Sequence, residues 1–425
     1  MRILALYPFL PYPAAAGSTL RGSAVLEVLV ARHEVTLVSL LAREESASQL
    51  SSWHLYRKFA REPLTISRLE PEELSPAGEA LRAETKTSRS SMPHWMEYFD
   101  LPKMWNTLAE LDLRKIDVIH VRYISMAPYA LALKRVAPHL RLVIDLDDIL
   151  SVIFLRKLTF PKKLSQVSTF LWELKQIFRM YAFERGPLRE FDSIWVCSQP
   201  DLRKISRRVG IERSLIVANV VDATKLASIQ RQGNDPALLF IGDFNYHPNT
   251  QAAEYFVAKI WPAIRARITG AKLWLVGSNR QSSMLAWDGQ NGITVTGRVD
   301  SVSPYLERAM ISIAPLLVGV GTRLKILEAL AAGLPVVTTS IGVEGIHARN
   351  EIDLLIADTA EDFAAQCIRL LEDGVLRERL RAAGKSLIKE RYDISVMSQA
   401  ILECYDGIEQ VCRSASKSLD TEVEQ

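Results

Sequence analysis

An α/β fold of two tandem doubly wound, Rossmann-like domains is what this sequence predicts, and three observations carry the prediction. The chain has 425 residues, more than a single hydrophobic core usually serves. Short apolar runs alternate with amphipathic stretches, the pattern of βα units on a parallel sheet. The alternation breaks at the polar stretch SIQRQGNDP, Ser228 to Pro236, and then begins again. Open parallel sheets of this kind take ligands at the carboxyl ends of their strands.

The elements follow in order. RILALY reads as the first strand, Ser18 to Ala31 as a helix, and HEVTLVSL as the next strand. DVIHVRY, RLVIDL and DSIWVCS continue the first sheet, while residues from about 45 to 105 are polar and punctuated and read as irregular structure with short helices. The second series comprises ALLFIGDF, KLWLVGS, ITVTGRV, ISIAPLL, LPVVTTS and DLLIAD, with helices such as Thr250 to Ile268 between them. The expected division is a first domain over 1–217, a linker over 218–235 and a second domain over 236–390. A helix over 391–412 would return to the first domain, and 413–425 would be a tail without structure.

Composition excludes several classes. At 48% hydrophobic and 24% charged residues the chain is ordinary for a globular protein. A net charge of +3 is too small for general nucleic-acid binding, and no nucleic-acid-reading motif is present. Cys197, Cys367, Cys404 and Cys412 are scattered, which fits a reducing cytoplasm and neither a disulfide framework nor a zinc site. The apolar start MRILALYPFLPYPAAAG is interrupted by Pro8, Pro11 and Pro13, so it reads as a strand and loop instead of a secretion signal. No run reaches the roughly 18 apolar residues of a membrane span.

The stretch GVGTRLKILEALAAGLPVV, Gly319 to Val337, breaks a rule of helix construction. Thr322 reads as the N-cap of a helix that Gly333 and Pro335 end, yet its first turn carries Arg323 and Lys325 and no acid before Glu328. Cations at the positive end of a helix dipole cost roughly 0.3–1 kcal/mol each. A bound anion reverses the sign: helix N-termini offer unpaired N–H groups, and Gly319 and Gly321 allow close approach to the backbone. One charge pair at about 4 Å and an effective dielectric near 20 is worth on the order of 4 kcal/mol before desolvation. Residues 323 and 325 point about 200° apart on a regular helix, so Arg323 is the better phosphate ligand and Lys325 shares a face with Glu328. A solvated helix start with a Lys–Glu surface pair is the competing reading.

The longer stretch GVGTRLKILEALAAGLPVVTTSIGVEG resembles the donor-binding signature of family 4 glycosyltransferases, retaining enzymes of the GT-B fold. DVIHVRY, SIWVCSQPDLRKI, VANVVD, FIGDFNYHPNTQAAEYF and LWLVGS support the resemblance in family order, from Met1 to about Tyr405. It implies transfer of a sugar from a nucleotide-diphosphate donor to a saccharide or lipid-linked saccharide in bacterial polysaccharide or glycolipid synthesis, with no metal and no further cofactor. By resemblance Glu328 would hold the ribose hydroxyls, and Gly321, Thr322 and Arg323 would surround the diphosphate or sugar. Glu344 and Gly345 would reach the sugar-phosphate, Gly17 and Ser18 would close over the donor, and Gly242 and Asn245 would line its loop. His120 and Arg122 stand where the family often has His-x-His and would contact donor or acceptor. The catalytic set expected is therefore Arg323, Lys325, Glu328, His120 and Arg122.

Two departures from the family pattern matter. Val320 stands where many members have a second Glu, and Asp243 and Pro248 stand where many have an Arg and a Lys for the diphosphate. Arg323 and Lys325 are expected to supply that missing charge. Asp145 and Asp147 form an Asp-x-Asp, a metal-binding pattern of the other large glycosyltransferase fold, read here as a strand end. Asn219 and Asp222 are expected to shape the hinge, and His247, His347 and Asn245 are weaker site candidates, with a turn as the competing role of His247. Two rival functions stay open: a nucleotide-sugar epimerase on the same fold, and a non-catalytic nucleotide-sugar binder. Residues 154–185 are basic and aromatic, which gives either a helix packed on its domain or a peripheral contact with the inner membrane face.

Overall fold

The computed structural model describes residues 1–12, 17–41, 64–67, 72–85, 93–158, 167–230, 235–278, 282–319 and 321–423. They form two compact units, Met1–Val217 with Ser398–Gln425, and Ala218–Met397.

The first unit is built on β1 (Arg2–Tyr7), β2 (Glu34–Leu41), β3 (Leu64–Ser67), β4 (Val118–Arg122), β5 (Arg141–Asp145), β6 (Ser193–Val196) and β7 (Ser214–Ile216). Their order is β3-β2-β1-β4-β5-β6-β7, and every pairing is parallel. Helices cover both faces of such a sheet, so its central strands are buried on both sides; every residue of β4 is buried. The strand order reverses between β1 and β4, where Ile3 lies opposite Val118.

The second unit repeats the scheme with β8 (Ala237–Ile241), β9 (Lys272–Val276), β10 (Ile293–Val295), β11 (Ile311–Ala314), β12 (Val336–Thr338) and β13 (Leu355–Ile356). The order is β10-β9-β8-β11-β12-β13, again all parallel. Strand β8 sends Leu238 and Phe240 into one core layer and Ala237 and Leu239 into the other, the two-residue period of a strand with both faces covered. Its reversal point lies between β8 and β11.

Several expectations are corrected. Strands β3 and β7 are not predicted by the sequence: they are the two edges of the sheet and only partly buried, so they lack the apolar signature of a strand covered on both faces. The stretch 218–230 is no free linker. Val221 pairs with Asp393 and its N–H donates to the Tyr392 carbonyl at 2.9 Å, while Asp222 caps the short helix Ala223–Ala227. The helix expected over 250–268 starts at His247 and contains a π turn, Phe256–Ile260, before Trp261–Arg267. Pro262 explains it, since the ring lacks an N–H and would clash with the carbonyl four residues back in an unbroken α-helix. The last helix, Ile394–Val423, runs past residue 412, with a Glu409–Arg413 pair at 2.7 Å along its side.

Candidate functional site

Three loops of the second unit meet at the reversal point. The first leaves β8 at Gly242, whose N–H donates to the Val276 carbonyl at 3.0 Å. The second follows β11 and becomes the helix Leu324–Ala331. The third follows β12 and is stitched to the second by threonines. Thr338 Oγ1 donates to the Ala314 carbonyl at 3.0 Å, Thr339 Oγ1 to the Leu316 carbonyl, and the Gly342 N–H returns to Thr339 Oγ1 at 2.9 Å. Glu344 and Gly345 follow in this turn, half-buried, and Gly345 takes a left-handed φ of 84°.

The helix starts at Leu324, but its capping residue lies one position later than Thr322. Arg323, at φ −84° and ψ 93°, is the capping residue, and no side chain caps the terminus. Gly321 at φ 81° turns the chain left-handed and delays the helical backbone. The displaced Thr322 hydroxyl is buried with no hydrogen-bond partner among the described residues. Arg323 folds back over its own loop, and its Nη1 donates to the Gly321 carbonyl. A Cβ at Gly319 (φ 141°) would lie 2.5 Å from Arg323 Nη2, so glycine there makes room for the guanidinium.

Lys325 points the other way, as the helical angle requires. Its Nζ donates to Asn249 Oδ1 at 2.7 Å and lies 4.7 Å from the centre of the Phe240 ring. The competing reading of a Lys325–Glu328 surface pair is therefore set aside: the ammonium's hydrogen bond goes to Asn249, in the first turn of the helix His247–Tyr255. Burial lowers the Lys325 pKa to about 7, Arg323 pushes it the same way and Glu328 opposes them. Burial raises the Glu328 pKa, against the pull of Lys325. The arrangement is thus a partly desolvated helix terminus flanked by two cations, with a carboxyl group one turn further on.

Other expected residues are engaged in local turns or belong to the first unit. Asn245 is exposed, and both its N–H and its Nδ2 donate to Asp243 Oδ1, at 3.0 and 2.9 Å, so its side chain is spent on a local turn. Gly17 and Ser18 open the first unit's helix Gly17–Arg32. His120 and Arg122 also belong to the first unit, and both are fully buried, which corrects their expected contact with substrate. His120 Nδ1 is 2.9 Å from the Tyr405 hydroxyl, and burial lowers its pKa to about 4. Arg122 and Arg21 clamp the buried Asp145, and Arg122 also reaches Asp147 at 2.9 Å. Burial alone would raise the Asp145 pKa; the two guanidiniums overcome it and hold the carboxyl well below its ordinary value. Both aspartates of the Asp-x-Asp are thereby occupied by arginine, and no group of three or more metal-ligating side chains is found among the described residues.

Asn249 and Thr339 went unnoticed in the sequence. The one available signal was the Asn in HPN at the start of a helix, where such residues usually cap turns.

Residues 235–373 match the family model described as glycosyl transferases group 1. That span contains all three loops described above. A phosphatidyl-myo-inositol mannosyltransferase of Mycobacterium leprae is 27% identical over 218 residues, 50% of this chain and 56% of the relative. The chain therefore spans about half the length of the curated relatives it matches. Among solved structures, sucrose-phosphate synthase from Thermosynechococcus elongatus superposes with a TM-score of 0.65 at 16% identity, over 97% of this chain and 100% of the other. HepE of Anabaena, in complex with UDP and glucose, gives a TM-score of 0.64 at 14% identity, over 96% and 100%. The fold is the two-domain, Rossmann-like GT-B fold of glycosyltransferases.

Proposed function

We propose that this protein is a retaining glycosyltransferase that moves a sugar from a nucleoside-diphosphate donor to a saccharide or lipid-linked saccharide. The observation that carries the reading is the uncapped N-terminus of the helix Leu324–Ala331, with Arg323 and Lys325 on either side of it at the reversal point of the sheet. Cleavage of a sugar–diphosphate bond builds negative charge on the leaving phosphate, and fixed positive potential there is the strongest lever a protein has. Helix amides, a guanidinium and an ammonium supply that potential without a metal ion in this proposal. Glu328, one turn into the helix, would take the ribose hydroxyls. Retention of anomeric configuration and the acceptor class come from the family resemblance alone.

Replacing Arg323 with Ala is expected to weaken nucleoside-diphosphate binding at least about tenfold, the equivalent of 1.4 kcal/mol. Thermal-shift titration with UDP, GDP, ADP and dTDP reads this directly, since ligand binding raises the melting point by mass action. Unchanged affinity would remove Arg323 from the site. Turnover then separates the enzyme classes. A transferase releases nucleoside diphosphate when a lipid extract or saccharide acceptor is supplied, an epimerase converts donor without one, and a binder does neither.

The membrane contact is part of the same proposal, with the reaction at the cytoplasmic face. No helix among the described residues is long and apolar enough to cross a membrane. The helix Val167–Arg185 leaves Leu171 60%, Trp172 52% and Phe178 73% exposed. Leu171, Leu174 and Phe178 follow an i, i+3, i+7 spacing, with Lys175, Arg179 and Arg185 alongside. The opposite side is anchored, since Gln176 accepts from the His94 N–H at 2.9 Å and Glu184 from the Ser151 N–H at 3.0 Å. Lys162 and Lys163, part of the expected basic stretch, lie outside the described residues. An apolar stripe edged with cations suits an anionic lipid surface. Phe178→Glu should cut co-sedimentation with phosphatidylglycerol vesicles several-fold; equal sedimentation of variant and parent would dismiss the contact.

A further inference from the structure

An ammonium that is to receive a phosphate needs a partner that fixes its position yet leaves its charge unspent. We propose that Asn249 is the positioning residue that holds Lys325 for the nucleoside diphosphate. The inference rests on the donor-site reading above and deepens it.

Asn249 is 8% exposed, in the first turn of the helix His247–Tyr255. Its Nδ2 donates to the Asp243 carbonyl at 2.8 Å, which turns Oδ1 toward Lys325 Nζ at 2.7 Å. The two bonds fix the amide's orientation, because only an NH2 can donate to a carbonyl and only the oxygen can accept from an ammonium. Gly242 completes the arrangement. A Cβ there would come within 3.0 Å of Lys325 Nζ and 3.1 Å of Asn249 Nδ2, so any side chain would crowd both groups.

The neutrality of the amide is the point of the argument. Aspartate has nearly the same shape and would also reach the ammonium, but it would cancel the charge and repel a phosphate at short range. Among the described residues, the charges that act on Lys325 are Arg323 at the helix cap and Glu328 on its own helix, while the exposed Asp243 carboxylate is engaged by Asn245. With the Lys325 pKa near 7 from burial, an incoming anion at pH 8 would draw a proton onto the amine.

The test uses the full-length protein and Asn249→Asp and Asn249→Ala variants. Whichever of UDP, GDP, ADP and dTDP binds the parent most tightly is titrated by calorimetry at pH 8, in two buffers of different ionisation enthalpy, which counts protons. The parent should take up a fraction of a proton on binding. Asn249→Asp should bind at least about tenfold more weakly and take up almost none, because its carboxylate already keeps Lys325 charged. Asn249→Ala should also bind more weakly, about threefold or more, yet retain the proton uptake. A merely structural role would leave the proton count unchanged in both variants. Parent-like affinity in Asn249→Ala, or parent-like affinity and proton uptake in Asn249→Asp, overturns the assignment. If none of the four nucleotides binds the parent, the donor-site reading itself fails, and the inference with it.

Discussion

Lys325→Met should weaken nucleoside-diphosphate binding about a hundredfold and at the same time make the ligand-free protein more stable. The two effects have one cause. In the unfolded chain the amine keeps its ordinary pKa of 10.5, whereas burial in the folded protein lowers it to about 7. Between those values the unfolded state binds more protons than the folded one. Stability contributed by this group therefore rises as pH climbs from 7 toward 10.5, and at neutral pH the lysine costs the fold free energy. Methionine carries no charge to desolvate, fits beside Phe240, and should raise the thermal midpoint by a few degrees, as roughly 1 kcal/mol does in a chain of this size. The loss on the binding side follows from removing a charge pair worth on the order of 4 kcal/mol before desolvation; about 2.7 kcal/mol surviving desolvation is a hundredfold. Affinity of the parent should accordingly fall as pH rises above 7, by at most about one decade per pH unit, and the variant should lose that slope. Calorimetry and thermal unfolding across pH 6 to 9 check both halves. A less stable Lys325→Met variant would show that burial of the amine costs the fold nothing, and one that binds as the parent does would show that the amine does not meet the ligand.

The second large effect lies in the first unit. Asp145→Asn should destabilise that unit by about 3–5 kcal/mol, the usual cost of stripping one partner from a buried ionic group. Arg21 reaches Asp145 through Nε at 2.9 Å and Nη2 at 2.8 Å, and Arg122 reaches it through Nη1. All three side chains are 0–1% exposed. An amide keeps the shape but leaves two guanidiniums facing one neutral group. Because the folded carboxyl is held below its unfolded value, its stabilisation is complete above about pH 4 and is lost as pH falls through the lower folded value. The substitution should thus lower the unfolding midpoint by roughly 10 °C at neutral pH and much less near pH 2. A change under about 1 kcal/mol at neutral pH would mean that the clamp is not structural.

These two predictions also show what the sequence made legible. The alternation of apolar runs and helices revealed both sheets, because a doubly wound strand is apolar over its whole length and needs no partner to be recognised. Strands β3 and β7 escaped because they are the partly exposed edges of the sheet, which carry no fully apolar run. Arg323 and Lys325 stood out because they contradict the helix dipole, a local rule that a ligand can override. Their partners did not stand out. Asn249 is 76 residues from Lys325 in the chain, and no spacing in the sequence links them. His120 and Arg122 misled for the opposite reason. Polar residues at the end of a strand look like site residues until the structure shows them packed against Asp145 and Tyr405.

The most direct measurement is a crystal structure of the protein grown with the nucleoside diphosphate that stabilises it best. The account predicts phosphate oxygens about 3 Å from the Leu324 or Lys325 backbone nitrogen, with the Arg323 guanidinium moved off the Gly321 carbonyl onto the phosphate. A nucleotide bound elsewhere, with Arg323 still folded on Gly321, would contradict it.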